Sequence, residues 1–208
     1  MTEPVPTIFI VDDDAAVRRG LQRLLKSVGL RTRAFSNARE FLAQAATCPH
    51  GCVLLDVRMP GPDGLEAQRV LAEEEIALPI IFITGHGDIP MSVEAMKRGA
   101  VDFLTKPFED ETLLRAIDRA LESDWAQRKR SAQINAIQER INTLTPRERH
   151  VVELVVAGLL NKQIGSRLCT TENTVKVHRG RVMRKLQAGS LAELVRMAER
   201  VGIGVEGT

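Results

Sequence analysis

The hydrophobic positions of this chain change their period along its length. Through the first 120 residues, short apolar runs alternate with longer amphipathic stretches. The runs are TIFIV (7–11), RTRAF (31–35), CVLLD (52–56), PIIFI (79–83) and DFL (102–104). Three of them are unbroken apolar stretches, the pattern of strands covered on both faces rather than strands with one wet side. Between them, apolar residues recur every three to four positions, as on one face of a helix. Val17, Leu21, Leu24, Leu25 and Val28 mark a first helix, and a second covers about 37–47. A third carries Leu65, Arg69 and Leu71, and a fourth Val93, Met96 and Lys97. Gly29, Pro60-Gly61-Pro62, Pro79 and Gly99 fall where these segments need turns. Five strands alternating with helices predict an α/β fold, a parallel sheet with right-handed crossovers.

The period then becomes purely helical. From about Asp110 no helix breaker appears until Pro146. Leu114, Ile117, Leu121 and Trp125 lie on one stripe, and a charged stretch, Arg128-Lys129-Arg130, follows. Ile134, Ile137, Ile141 and Leu144 come next, spaced as a short a/d seam. Two readings stay open: a linker helix resting on its own domain, or a long helix that also pairs two chains. Whether the helix breaks at the charged stretch is open too. Beyond Leu144 the helices are short. Thr145-Pro146-x-Glu148 has the residues of a helix start, with Thr as N-cap, Pro at N1 and Glu at N3. That helix covers about 146–157 and ends at Gly158. Further helices are predicted at 161–168, about 172–187 and about 190–201, the last ending at Gly202.

Length and charge sharpen this division. At roughly 150 residues per domain, 208 residues allow one domain or two small ones. The net charge of +2 hides an asymmetry: residues 1–122 hold 14 basic and 19 acidic side chains, a net of −5, and residues 123–208 hold 15 and 8, a net of +7. A basic second half points to a polyanionic partner. The chain is 44% hydrophobic and 27% charged, which argues against disorder throughout. No apolar run approaches the roughly 18 residues of a membrane helix, so no membrane association is expected. The segment MTEPVP lacks the basic and apolar regions of a secretory signal, and a cytoplasmic protein is expected. Three cysteines, Cys48, Cys52 and Cys169, are too few for a disulfide framework. Cys48 and Cys52, with His50 between them, are expected to be small buried or loop residues, since no further ligand cluster follows.

The candidate chemistry of the first half lies at the carboxyl ends of the strands, where open parallel sheets bind ligands. The first strand delivers Asp12-Asp13-Asp14, the third Asp56, the fourth Thr84 and the fifth Lys106. Converging carboxylates repel unless a cation sits among them, and oxygen-only ligands favour a hard divalent ion such as Mg²⁺. A carboxylate beside Mg²⁺ and a lysine can attack a phosphoryl group, because both cations offset charge developing on its oxygens. An aspartate that becomes phosphorylated is the inference. The motifs IVDDD, LLDVRMPGPDG, FITGHGD and AVDFLTKPF, in this order, resemble the receiver domain of two-component response regulators, whose sheet is flavodoxin-like and doubly wound. The resemblance covers about 7–122. It implies that Asp56 is the phosphoacceptor, that Asp13 ligates Mg²⁺ directly, that Asp12 supports the metal partly through water, and that the Arg58 backbone carbonyl is a further ligand beside Asp56. It also implies that Thr84 is the switch hydroxyl, that Phe103 fills the aromatic switch position, that Lys106 pairs with the phosphate, and that the Lys106–Pro107 bond is cis.

In the second half, the segment ENTVKVHRGRVMRKLQ (172–187) carries an apolar stripe of Val175, Val182, Met183 and Leu186. It also carries Lys176, Arg179, Arg181, Arg184 and Lys185. A short helix, a turn and a longer basic helix form a helix-turn-helix pattern, whose second helix enters the major groove. Basic side chains neutralise phosphates, and Lys or Arg can read guanine edges. The absence of aromatic residues from the helix argues against readers of single strands or RNA. From Leu144 to Ala198 the pattern LTPRE…GLLNKQIGSRL…TENTVKVH…KL…ELVRMA resembles the four-helix DNA-binding domain of the FixJ/NarL/LuxR regulators. By that resemblance Lys176, Val177 and Gly180 face bases, and Thr174, His178, Arg179, Arg181 and Arg184 are candidates for base or phosphate contacts. Two departures matter. Gly180 stands where many relatives carry a longer polar side chain. Gly165 replaces the usual Ala in the helix at 161–168, which the resemblance makes the scaffold, at about 1 kcal/mol.

Together the resemblances imply a receiver at 1–122, a helical linker at 123–143 and an all-α DNA-binding domain at 144–208. They imply a transcriptional regulator phosphorylated by a cognate sensor histidine kinase, a homodimer once phosphorylated, with double-stranded promoter DNA and RNA polymerase as partners. No enzyme is implied beyond catalysis of its own phosphorylation and dephosphorylation. A phosphatase of the aspartate-nucleophile kind would need a D-x-D motif after the first strand, a spacing that Asp12-x-Asp14 satisfies formally.

Overall fold

The computed structural model describes residues 5–47, 50–85 and 89–204. The chain divides into two compact units after Arg128. The first contains five strands, β1 (Thr7–Val11), β2 (Arg31–Phe35), β3 (Gly51–Asp56), β4 (Ile80–Thr84) and β5 (Asp102–Thr105). Between them run α1 (Ala15–Ser27), α2 (Ala38–Ala45), α3 (Gly64–Glu73) and α4 (Ile89–Lys97). All strand pairs are parallel, in the order β2-β1-β3-β4-β5. The expected doubly wound sheet is therefore present, and its order reverses between β1 and β3, where ligands bind in such sheets.

The unbroken apolar runs are explained by the two sides of this sheet. Side chains alternate along a strand, so each central strand supplies both faces. Phe9, Val11, Val53, Leu55 and Phe82 join one core with Phe41 and Leu71 of α2 and α3. Ile8, Ile10, Leu54, Ile81 and Ile83 join the other with Leu21 and Leu25 of α1 and with Leu113 and Ile117. The edge strand β2 alternates between exposed and covered residues, as its pattern RTRAF requires. Helix starts follow local chemistry: Asp14, Asn37 and Asp63 accept from backbone N–H groups at the starts of α1, α2 and α3.

The next helix, α5, runs without a break from Asp110 to Asn142 and carries residues of both units. The charged stretch at 128–130 lies within it and does not end it. The second unit continues with α6 (Pro146–Val156), α7 (Asn161–Arg167), α8 (Glu172–Leu186) and α9 (Leu191–Arg200). Its core takes Ile137, Ile141 and Leu144 together with Val151, Val155, Ile164, Val175, Val182, Leu186 and Leu194. Most of the a/d seam is thus buried inside the chain's own second unit, the first of the two readings left open for it. Trp125 is half exposed and does not continue the buried stripe of Ile117.

Gly165 also looks different in three dimensions. A methyl group there would lie 3.0 Å from the Thr170 carbonyl oxygen, and the Gly165 carbonyl accepts from the Thr170 N–H at 2.8 Å. The glycine lets the turn between α7 and α8 fold closely over its helix, which offsets part of its helical cost. Among the described residues no helix is long and apolar enough to cross a membrane.

Candidate functional site

Strand register brings the acidic residues together. Val11 pairs with Leu55, so Asp12 and Asp56 leave adjacent strands side by side. Thr84 pairs with Thr105, and the Lys106 N–H donates to the Thr84 carbonyl at 2.7 Å, which brings Lys106 to the same edge. The Lys106 ammonium then donates to Asp12 Oδ2 at 2.6 Å and to Asp56 Oδ2 at 2.9 Å. Asp12 is fully buried, Asp56 and Thr84 are buried, and Asp13 is exposed. Burial pushes the Asp12 carboxyl above its ordinary range, against the opposing pull of Lys106 and of the Asp14 N–H. Burial alone would lower the Lys106 ammonium, yet its bonds to Asp12 and Asp56 raise it overall, so it stays charged.

The loops are held by backbone bonds. The Asp14 N–H donates to Asp12 Oδ1 at 2.9 Å, and the Arg58 N–H to Asp56 Oδ1 at 3.1 Å. Arg18 of α1 donates to the carbonyls of Asp12 and Asp13 at 2.6 and 2.9 Å. Arg18 has no distinguishing signal in the sequence, because an arginine on an exposed helical turn is ordinary. Asp14 faces its own helix, where its Oδ1 caps the Ala16 N–H at 2.6 Å. The formal Asp12-x-Asp14 pair is thus not a pair of reacting carboxylates. Gly64, after Asp63, permits a close approach: a Cβ there would come within 2.4 Å of the Asp56 carbonyl oxygen. Phe103 is half-buried, its ring centroid 6.2 Å from that of Phe82. The Lys106–Pro107 bond is cis.

The chemistry of the cluster fits a hard cation. One ligand atom each from Asp12, Asp13 and Asp56 lies within 4.8 Å of the others. Three carboxylates around one lysine leave uncompensated negative charge, and their all-oxygen donor set suits Mg²⁺. Cys52, by contrast, is fully buried in β3, and burial pushes its thiol up to about 12, which disfavours the reactive thiolate. Cys48 lies outside the described residues, as does the end of the FITGHGD motif.

In the second unit, α8 is the basic helix. Thr171 caps it, accepting from the Thr174 N–H at 3.1 Å, and Gln187 ends it in the left-handed conformation. Val175, Val182 and Leu186 face the core, while Thr174, Lys176, Val177, Gly180, Arg181 and Arg184 are exposed. His178 and Arg179 are half-buried. Arg179 donates to Asn161 Oδ1 of α7 at 2.6 Å, and the His178 Nδ1 is buried without a partner among the described residues. The predicted contact residues therefore fall into two groups, an outward row and two inward flanks. Asn161 is a residue that sequence reading missed; only the fold brings it to Arg179, eighteen positions away. Near the end of α8, Lys185 donates to Glu148 Oε2 at 2.6 Å and to the Thr143 carbonyl at 2.9 Å.

Comparison with known proteins covers both units. Residues 8–118 match the response regulator receiver domain family, and residues 142–198 match the bacterial regulatory proteins of the luxR family. The chain is 49% identical over 201 residues to nodulation protein W of Bradyrhizobium diazoefficiens, covering 97% of this chain and 88% of that one. It is 46% identical over 206 residues to the response regulator protein TodT of Pseudomonas putida, covering 99% and 91%. It is 45% identical over 196 residues to the transcriptional regulatory protein FixJ of Bradyrhizobium diazoefficiens, covering 94% and 96%. Among solved structures it resembles the response regulator StyR, with a TM-score of 0.81 and 46% identity over 95% of this chain and 100% of that one.

Proposed function

Because the chain belongs to the two-component response regulators that join a receiver domain to a LuxR-type DNA-binding domain, we propose that it is switched by phosphorylation of Asp56. The phosphoryl group comes from a histidine of a sensor kinase. An Asp56 oxygen attacks phosphorus, the new O–P bond forms, the N–P bond breaks, and its electron pair stays on the kinase imidazole, which takes a proton from solvent as it leaves. Lys106 stays cationic and steadies the phosphoryl oxygens. Asp12, Asp13, Asp56 and the Arg58 carbonyl would hold Mg²⁺, whose charge would offset that of the transferred group. The chain catalyses only its own phosphorylation and dephosphorylation, and it works in the cytoplasm.

In the same reading Thr84 moves toward the phosphoryl group and Phe103 turns inward behind it. Two receivers then pair through α4, β5 and the start of α5. Ile89, Val93 and Met96 support this, since they leave an apolar row exposed on α4, with Ile89 79% exposed. Pairing presents two α8 helices to promoter DNA, and RNA polymerase is the downstream partner. The boundaries that suit this function are 1–122 for the receiver, 123–143 for the linker helix and 144–208 for the DNA-binding domain.

The observation that carries the reading is the single lysine bonded to two carboxylates from adjacent strands, at the edge where the sheet order reverses. Phosphate-affinity electrophoresis after incubation with acetyl phosphate and Mg²⁺ tests it. A retarded band is expected for the native chain and none for Asp56→Asn or with EDTA. A band that persists in Asp56→Asn overturns the assignment.

A further inference from the structure

We propose that Asn173 reads base sequence for this protein, taking the edge of an adenine in the major groove, with Val177 against the methyl group of a neighbouring thymine. The proposal rests on the reading of α8 as the DNA-binding helix and adds the bases it selects.

Register is the first support. Val175, Val182 and Leu186 fix the inward side of α8. About half a turn away, Asn173, Val177, Gly180 and Arg184 recur at intervals of four, three and four, and all are exposed. This row, rather than Arg179, faces away from the protein.

Most polar side chains around this row already have partners within the protein. Lys176 is paired with Glu172 at 3.1 Å, and Thr174 shares a hydrogen bond with Thr171 at 2.8 Å. Arg179 is held by Asn161, and Lys185 by Glu148. Asn173 makes no such bond among the described residues, and it is the one side-chain amide in the outward row. It lies in the first turn of α8, the part of a recognition helix that approaches base edges. Its adjacent acceptor and donor match the N6 amino group and N7 of adenine together, whereas a phosphate would use only the donor. Val177, one turn further on, is an aliphatic residue left 49% exposed on a basic helix, which suits the thymine methyl.

Gly180 is the third. A Cβ built there meets nothing within 4 Å, so the fold has no need of a glycine. A mid-helix glycine costs about 1 kcal/mol relative to alanine. Its use lies outside the protein: it flattens the row beyond Val177 and lets the duplex approach the first turn.

The test selects from a randomised duplex library with the full-length chain, in acetyl phosphate and Mg²⁺. The native chain is expected to retain a motif with an adenine at one fixed position beside a thymine. Asn173→Ala is expected to lose the preference at that position alone, with affinity for the selected duplex reduced about tenfold and affinity for unrelated duplex unchanged. Asn173→Asp keeps only the acceptor and is expected to shift that position toward cytosine, whose N4 amino group donates. The proposal is overturned if Asn173→Ala keeps the native preference at every position, or weakens all duplexes equally. A native chain that retains no duplex at all overturns instead the DNA-binding reading beneath it.

Discussion

At the scale of single residues, the receiver site is arranged for chemistry at the expense of stability. Asp12 is buried, its carboxyl is raised by that burial, and among the described residues Lys106 is the cation bonded to the cluster of three acids. Removing one acid without a cation present therefore relieves repulsion. Asp13→Asn is expected to raise the thermal midpoint of the receiver in EDTA, by a stabilisation of about 0.5–2 kcal/mol. The same variant should phosphorylate poorly from acetyl phosphate even with Mg²⁺. Calorimetry paired with a phosphorylation assay checks both, and an unchanged or lowered midpoint would remove the repulsion argument. These residues were legible in the sequence because each lies at or just past the carboxyl end of a strand. Arg18 and Asn161 were not, since each acts through contacts that only folding brings together.

At the scale of elements, the second unit is built from the end of α5 as well as from α6 to α9. The end of α5 belongs to its core: Ile141 is fully buried and Ile137 nearly so. Ile141→Ala is expected to destabilise this unit by about 2–5 kcal/mol, although the residue lies in what the sequence presents as a linker. Denaturant unfolding should show the loss in the transition of the second unit, and a change confined to the receiver transition would contradict the assignment.

The start of α6 is tied to α8 through Glu148. This residue completes a capping box with Thr145 and accepts from Lys185, and these hydrogen bonds, that from Lys185 first and the Thr145 N–H second, hold the Glu148 carboxyl below its ordinary value of 4.5. The folded form then binds this proton less readily than the unfolded chain. The stabilisation is complete above about pH 4.5 and is lost as the pH falls through the lowered value. Acid titration of the unfolding free energy is expected to be shallower for Glu148→Gln than for the native chain. Equal slopes would show that the pair carries no linkage. The capping box was readable from Thr145-Pro146-x-Glu148, because caps are local; the second use of Glu148 was not, because Lys185 is distant in sequence.

At the scale of the whole molecule, charge separates along the chain. Residues 1–122 carry −5 and residues 123–208 carry +7. The acidic part holds the cluster of Asp12, Asp13 and Asp56, and the basic part carries the exposed row of α8. Binding to duplex DNA should therefore weaken with salt, the logarithm of affinity falling linearly with the logarithm of salt concentration. Arg184→Ala is expected to reduce that slope by about one and to weaken all sequences alike, as a phosphate contact does. Fluorescence anisotropy across a salt series measures it, and an unchanged slope would place Arg184 off the phosphates.

The sequence by itself determined the element types, the parallel sheet, the acidic edge and the basic helix. Those features rest on periodicity, on caps and on residues that follow a strand or start a helix, all of which are local. Tertiary structure decided what depends on distant neighbours. It spent the seam of Ile137, Ile141 and Leu144 inside the chain's own core, turned Asp14 to its helix and away from the acidic cluster, and kept α5 continuous through its charged stretch. It also divided the basic side chains of α8 into those already paired and those left facing outward. A helical period names the face on which a residue lies, but only packing fixes what that face meets.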